Sequence, residues 1–210
     1  MLEANTAANA NNAIAQATNS SVGPAMHKDR SQSLHGPGGR SHMNKPASIN
    51  GARFRRVLGN YPTGVCVVTA LETDGSPVGL TIGSFTSVSL DPTLVAFFAD
   101  KRSSTWAQIQ NIGRFCVNVL SDDQVEICRN FSQRGGEKFF GLPYRFSPNG
   151  SPVLEGVVAW IDCDLQEVYE AGDHDMAIGA VVELDTPEEA EASEPLIFFQ
   201  GKFCRLQAID

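Results

Sequence analysis

Five hydroxyl side chains, Thr81, Ser84, Thr86, Ser87 and Ser89, fall within GLTIGSFTSVSLDP, a stretch otherwise built like a buried strand. A buried hydroxyl without a partner costs free energy, so these groups need backbone acceptors or a ligand. Further along, Asp100-Lys101-Arg102-Ser103-Ser104-Thr105 puts two cations and three hydroxyls where an apolar run ends and a helical pattern begins. Free backbone N–H groups at a helix start, the positive end of its dipole and nearby cations are the elements of a phosphate site. Arg102 suits a bidentate grip on phosphate oxygens, and Lys101 suits a point charge. Each feature alone has a plain structural explanation, since Thr favours strands and Ser or Thr caps helices. Their joint occurrence shifts the balance toward an anion site.

Gly172-Asp173-His174-Asp175 is a second candidate. It reads either as a polar turn between strands or as a histidine held at a strand end beside a ligand, and the residue types leave both open. The other histidines, His27, His35 and His42, lie in the first fifty residues. One histidine and scattered cysteines assemble no metal-ligand set. There is no G-x-S-x-G elbow and no G-x-G-x-x-G opening a helix, so serine-hydrolase and Rossmann chemistry lack support. Carboxylates sit in surface-like runs such as Glu188-Glu189, which gives paired-carboxylate hydrolysis no specific support.

The elements that must position these residues are mostly strands. Phe54, Val57 and Leu58 predict a short helix over Ala52–Gly59. Val65–Leu71 is rich in β-branched residues, Thr73-Asp74-Gly75-Ser76 reads as a hairpin turn, and Val78–Phe85 as the returning strand. Leu94–Ala99 reads as a deeply buried strand. Ser103-Ser104-Thr105 supplies caps for a helix carrying Trp106, Ile109 and Ile112 and ended by Gly113. Phe115–Leu120 alternates as a strand, and Ser121-Asp122-Asp123-Gln124 is a capping-box pattern before Val125, Cys128 and Phe131. Residues 133–150 read as an irregular excursion, followed by strands at Trp160–Tyr169, Met176–Leu184 and Leu196–Leu206. Seven or so strands with short connections and a few peripheral helices predict a mainly β fold, an antiparallel barrel.

The chain has 210 residues, 42% hydrophobic and 19% charged, enough for one domain with a full core. Its net charge of −8 argues against nucleic acid or an anionic membrane as partner. No apolar run reaches the roughly 20 residues of a membrane span. The start is no secretory signal. Cys66, Cys116, Cys128, Cys163 and Cys204 show no C-x-x-C spacing; they read as reduced core thiols of a cytoplasmic protein. Residues 1 to about 50, rich in Ala, Asn and Gly, read as a flexible tail, and the folded domain as 51–210. GGRSHM matches a cloning junction, which would put the native start near Met43.

Together, NYPTGVCVVTA, GLTIGSFTSVSLDPTLVAFFADKRSST, FCVNVLSDDQ, AGDHDMAIGAV and PLIFFQGKF resemble the short-chain flavin reductases, the reductase components of two-component flavin-dependent monooxygenases. The resemblance runs from about Phe54 to Leu206. It implies an FMN-binding split β-barrel of Greek-key type, usually a homodimer with sites near the subunit interface, and hydride transfer from NADH or NADPH to FMN or FAD. Carried over by position, Thr81, Ile82, Gly83, Ser84, Ser87, Val88 and Ser89, with Lys101, Arg102, Ser103, Ser104 and Thr105, surround the flavin ring and phosphate. Thr63 and Gly64 lie nearby, and His174, with Gly172 and Asp173, faces the nicotinamide. Where the family's last strand often carries arginine, this chain has Gln200. A flavin-binding electron carrier, or a reductase of another acceptor such as a cobalt corrinoid or a metal chelate, shares the fold. The Gly-Asp-His segment favours the reductase over the carrier.

Overall fold

The computed structural model describes residues 49–188, 193–207 and 209. The expected tail lies almost wholly outside the described residues, as do its three histidines. The described chain runs α1 (Gly51–Leu58), β1 (Thr63–Gly64), β2 (Cys66–Leu71), β3 (Pro77–Ile82), β4 (Thr86–Leu90), β5 (Thr93–Asp100), α2 (Ser104–Ile112) and β6 (Arg114–Val119). There follow α3 (Val125–Phe131), β7 (Tyr144–Phe146), β8 (Pro152–Leu154), β9 (Ala159–Ala171), β10 (His174–Asp185), β11 (Ile197–Phe199) and β12 (Lys202–Cys204).

Seven strands form one antiparallel sheet in the order β3-β2-β6-β9-β10-β5-β4. Its two edges, β3 and β4, are consecutive in the chain, with only Gly83, Ser84 and Phe85 between them. The sheet therefore curls until its edges approach, which makes the split barrel. At the seam a side chain replaces a strand partner: the Phe98 N–H donates to Ser84 Oγ at 2.9 Å, and the same hydroxyl donates to Phe98 O at 3.2 Å.

Strand β2 shows why the central strands read as unbroken apolar runs. Successive side chains point to opposite faces, and both faces are covered here. Cys66, Val68 and Ala70 enter the barrel core with Phe97, Trp106, Ile109 and Phe115. Val65 and Val67 enter a second core with Leu120, Phe131, Leu154, Trp160 and Leu196. Each fully buried large side chain contributes roughly 1.5–3 kcal/mol. Buried polar groups are answered locally: Asn118 donates to Val67 O and Thr69 Oγ1 and accepts from the Leu154 N–H at 2.8 Å.

The helix over Gly51–Leu58, the hairpin at Asp74-Gly75 and the capped helix α2 match the sequence reading. Four details differ. The strand expected to reach Phe85 stops at Ile82, because the chain must cross from one sheet edge to the other, and Thr86–Leu90 is a strand of its own. The irregular excursion contains β7, paired with β8 around Pro148-Asn149-Gly150. The single last strand is a hairpin, β11–β12, turned by Gln200 at φ 49° and Gly201 at φ 78°. In the expected capping box, Gln124 Oε1 accepts from the Ser121 N–H, but Ser121 Oγ donates to Asp123 and the helix starts after Gln124.

Candidate functional site

Strand β5 brings the sequence candidates together, because one edge carries the hydroxyl-rich segment and the other carries the histidine turn. Along one edge, Thr86 pairs with Ala96, Ser87 with Val95 and Ser89 with Leu94; Val88 sits at a bulge without a partner. Along the other, β10 pairs His174 with Asp100 and Asp175 with Ala99. The Asp100–Thr105 turn and the Gly172–Asp175 turn, some seventy residues apart in the chain, are therefore cross-strand neighbours.

The five hydroxyls divide. Thr81 Oγ1 donates to Cys128 O at 3.1 Å, tying β3 to α3, and Ser84 closes the barrel seam. Thr86 Oγ1 donates to Ser87 O. Ser87 and Ser89 make no side-chain hydrogen bond among the described residues and lie on the sheet's edge strand. Thus Thr81, Ser84 and Thr86 are bonded to backbone, and Ser87 and Ser89 are not.

At the end of β5, Ser103 caps α2 by accepting from the Trp106 N–H at 3.2 Å. Both expected phosphate cations already face carboxylates. Arg102 donates to Asp100 from Nε at 3.2 Å and from one terminal nitrogen at 3.0 Å. Lys101 Nζ lies 3.3 Å from Glu170 and 3.8 Å from Asp175. Partial burial pushes the Asp100 carboxyl up, but the Arg102 hydrogen bonds outweigh it and hold the group below its ordinary value. An incoming phosphate would therefore compete with Asp100 for Arg102. Ser104 is exposed and Thr105 half-buried at the same helix start.

The turn is held to this corner by its backbone: the Lys101 N–H donates to Asp173 O at 3.2 Å. Gly172 adopts φ 70°, a conformation that favours glycine. His174 Nδ1 is 2.7 Å from Asp173 Oδ1, which fixes the ring's orientation and leaves Nε2 pointing away from that contact.

Thr63, Thr81, Ile82 and Gly83 collect elsewhere, around a cavity of about 20 Å³ that Phe198 and Phe203 also line. A Cβ on Gly83 would come within 3.1 Å of Thr63 Oγ1. This space holds about one water and no aromatic ring system. Gly64 pairs with Ile197 and bounds no enclosed space. A larger concavity of about 520 Å³, lined by residues including Arg145, Leu154, Glu155 and Pro187, contains none of the candidates.

Thiol chemistry is suppressed at the four buried cysteines. Burial pushes the Cys66 and Cys163 thiols up to about 12 and Cys128 up to about 11, and raises Cys116 as well. The sequence reading placed Asp175 in the turn motif but gave it no role; its carboxylate accepts from the buried Trp106 Nε1 at 2.9 Å. The partner lies 69 residues away in the chain, so no local signal could have paired the two.

The fold agrees with the comparisons. The family described as flavin reductase like domain matches residues 58–207. A flavin reductase of Pseudomonas putida is 53% identical over 163 residues, covering 78% of this chain and 94% of the relative. The solved nitrilotriacetate monooxygenase component B of Mycobacterium thermoresistibile is 40% identical with a TM-score of 0.72, over 74% of this chain and 86% of the other. An NADH:FAD oxidoreductase of Streptomyces globisporus, solved with NAD and FAD fragments, is 33% identical with a TM-score of 0.69, over 74% of this chain and 92% of the other. With the split barrel, the hydroxyl-rich edge and the Gly-Asp-His turn assembled on one strand, this chain belongs to the flavin reductase-like family.

Proposed function

We propose that this chain is an NAD(P)H-dependent flavin reductase that binds FMN or FAD along the β4–β5 edge and meets the nicotinamide at the Gly172–Asp175 turn. The observation that carries the reading is the register of β5, which pairs His174 with Asp100 on one edge and Ser87 with Val95 on the other. When bound, the nicotinamide and flavin themselves supply the hydride donor and acceptor. The chain's own task is to bind, orient and exclude water.

Ser87 and Ser89 offer hydroxyls to the flavin, and the bulge between them leaves Val88 out of the ladder with β5. The first turn of α2, with Ser104 and Thr105, offers N–H groups and the positive helix end to a phosphate. Arg102 can turn from Asp100 to that phosphate. His174, held by Asp173, presents its other ring nitrogen to the nicotinamide.

A homodimer fits the outer face of the sheet, where Phe98, Met176 and Tyr169 form one cross-strand row, with Phe98 40% and Tyr169 52% exposed. Five free cysteines suit a cytoplasmic setting. Among the described residues no helix is long and apolar enough to cross a membrane. The monooxygenase component among the relatives supports a partner oxygenase that receives the reduced flavin.

Steady-state oxidation of NADH and of NADPH, each with and without added FMN or FAD, tests the function. The reading expects turnover that depends on flavin with at least one nicotinamide. Absence of flavin-dependent turnover with both would overturn it.

A further inference from the structure

One side chain ties α2 to the corner between the two proposed subsites, in addition to the backbone bonds there. Asp175 is 14% exposed; its Oδ2 accepts from Trp106 Nε1 at 2.9 Å, and its Oδ1 lies 3.8 Å from Lys101 Nζ. Trp106 is buried, stands edge-on to Phe97 with centroids 5.5 Å apart, and belongs to the first turn of α2. Phe97 in turn meets Phe115 edge-on at 5.3 Å, in the middle of the barrel. Asp175 thus joins the strand that begins at His174 to the helix whose start carries Ser103, Ser104 and Thr105. The register explains why this residue is the one that does so. Directly opposed residues share a face of the sheet. Asp175 opposes Ala99, which lies in the barrel core, while its neighbour His174 opposes Asp100 on the other face. The chain therefore sends one side chain toward the proposed ligand and the next toward the helix that would hold the flavin phosphate.

We infer that Asp175 is a positioning residue: through Trp106 and Lys101 it sets the separation between the nicotinamide turn and the flavin-phosphate corner at α2. Hydride transfer requires the reacting atoms within about 3–3.5 Å, so a small displacement between the two corners disturbs turnover more than it disturbs either ligand's binding alone. Removing the carboxylate leaves Trp106 Nε1 buried without an acceptor and removes the side-chain tie between α2 and β10, leaving the backbone bonds of the turn to hold the corner. Asn at 175 keeps an acceptor for the indole N–H but loses the charge facing Lys101.

This inference rests on the subsite assignment above. The test compares Asp175→Ala, Asp175→Asn and His174→Ala in the full chain. It reads kcat and nicotinamide KM by steady-state kinetics, flavin Kd by fluorescence quenching and Tm by calorimetry. For Asp175→Ala the expected result is a kcat lowered by about tenfold or more, as a misplaced donor implies, with smaller changes in KM and Kd. Asp175→Asn should recover most of that kcat, because the bond to Trp106 sets the geometry. An Asp175→Ala enzyme that loses Tm yet keeps kcat at a temperature where it is folded would overturn the inference, as would an Asp175→Asn enzyme no better than Asp175→Ala. If His174→Ala also leaves nicotinamide KM unchanged, the subsite assignment itself has failed. If His174→Ala raises KM while Asp175→Ala leaves kcat intact, only the positioning role has failed.

Discussion

On one edge of β5 a neutral hydroxyl does the joining: Ser84 takes both the N–H and the carbonyl of Phe98, and beyond it Ser87 and Ser89 remain open on the edge strand. On the other edge charged side chains crowd together, with Asp100 on Arg102 and with Asp175 and Glu170 on Lys101, beside the Asp173–His174 hydrogen bond. The difference separates two tasks. Neutral bonds at the seam hold the barrel closed and are insensitive to salt, while half-exposed ion pairs are individually weak and screened. Under the proposed reading, the ionic corner exchanges partners when an anion arrives, while the seam bond stays in place and the open part of β4 beyond it meets the flavin.

The largest expected effect breaks the ionic side. Arg102→Ala should raise the flavin Kd by about tenfold or more if the guanidinium leaves Asp100 for a phosphate, measured by titration of FMN. An unchanged Kd would restrict Arg102 to its pair with Asp100. Next, Ser84→Ala attacks the neutral side. It leaves the Phe98 N–H without its acceptor and should cost about 1–2 kcal/mol in chemical denaturation, with little salt dependence. No loss of stability would mean that the seam closes without the hydroxyl.

A smaller effect is expected away from both edges. Asp162 has no exposed surface, one carboxylate oxygen accepts from the Asn149 N–H at 2.9 Å, and the other has no partner. Burial pushes its carboxyl up, against the opposing hydrogen bonds from Asn149 and Ser147. The folded state thus holds the proton more tightly than the unfolded state. The stability this provides is fully present below the ordinary carboxylate pKa of about 3.9 and is lost as pH rises through the folded value. Asp162→Asn should therefore raise Tm at neutral pH, with the gain vanishing below about pH 4. Equal Tm values for the two proteins across the pH range would contradict this, and a changed flavin Kd would link this region to the site.

Much of this was legible in the chain because its signals are local. The Ser103 cap, Gly113 after α2 and the Asp74-Gly75 turn each depend on a few neighbouring residues, and each formed where the residues said. What escaped was set at a distance. The break between Ile82 and Thr86 depends on the barrel's closure, which no window of fourteen residues contains. For the same reason, the backbone partners of two of the hydroxyls, Cys128 for Thr81 and Phe98 for Ser84, could not be read from the segment itself. The hairpin at Gln200-Gly201 was hidden because glutamine seldom adopts positive φ; its side chain reaches Asn60 at 2.7 Å, a contact from the far end of the chain. Proline, asparagine and glycine at 148–150 did mark the β7–β8 turn, but the three-residue strands beside them are too short to show a period.

The central claim is a division of labour across β5, and one paired measurement tests it most directly: flavin Kd and nicotinamide KM, determined side by side for the Ser87→Ala, Ser89→Ala double variant and for His174→Ala. The account predicts a crossed result, with the serine variant several-fold weaker for flavin and near normal for nicotinamide, and the histidine variant the reverse, in keeping with the loss of one or two hydrogen bonds at about 0.5–1.5 kcal/mol each. Both variants shifting the same ligand, or neither shifting any, would contradict it.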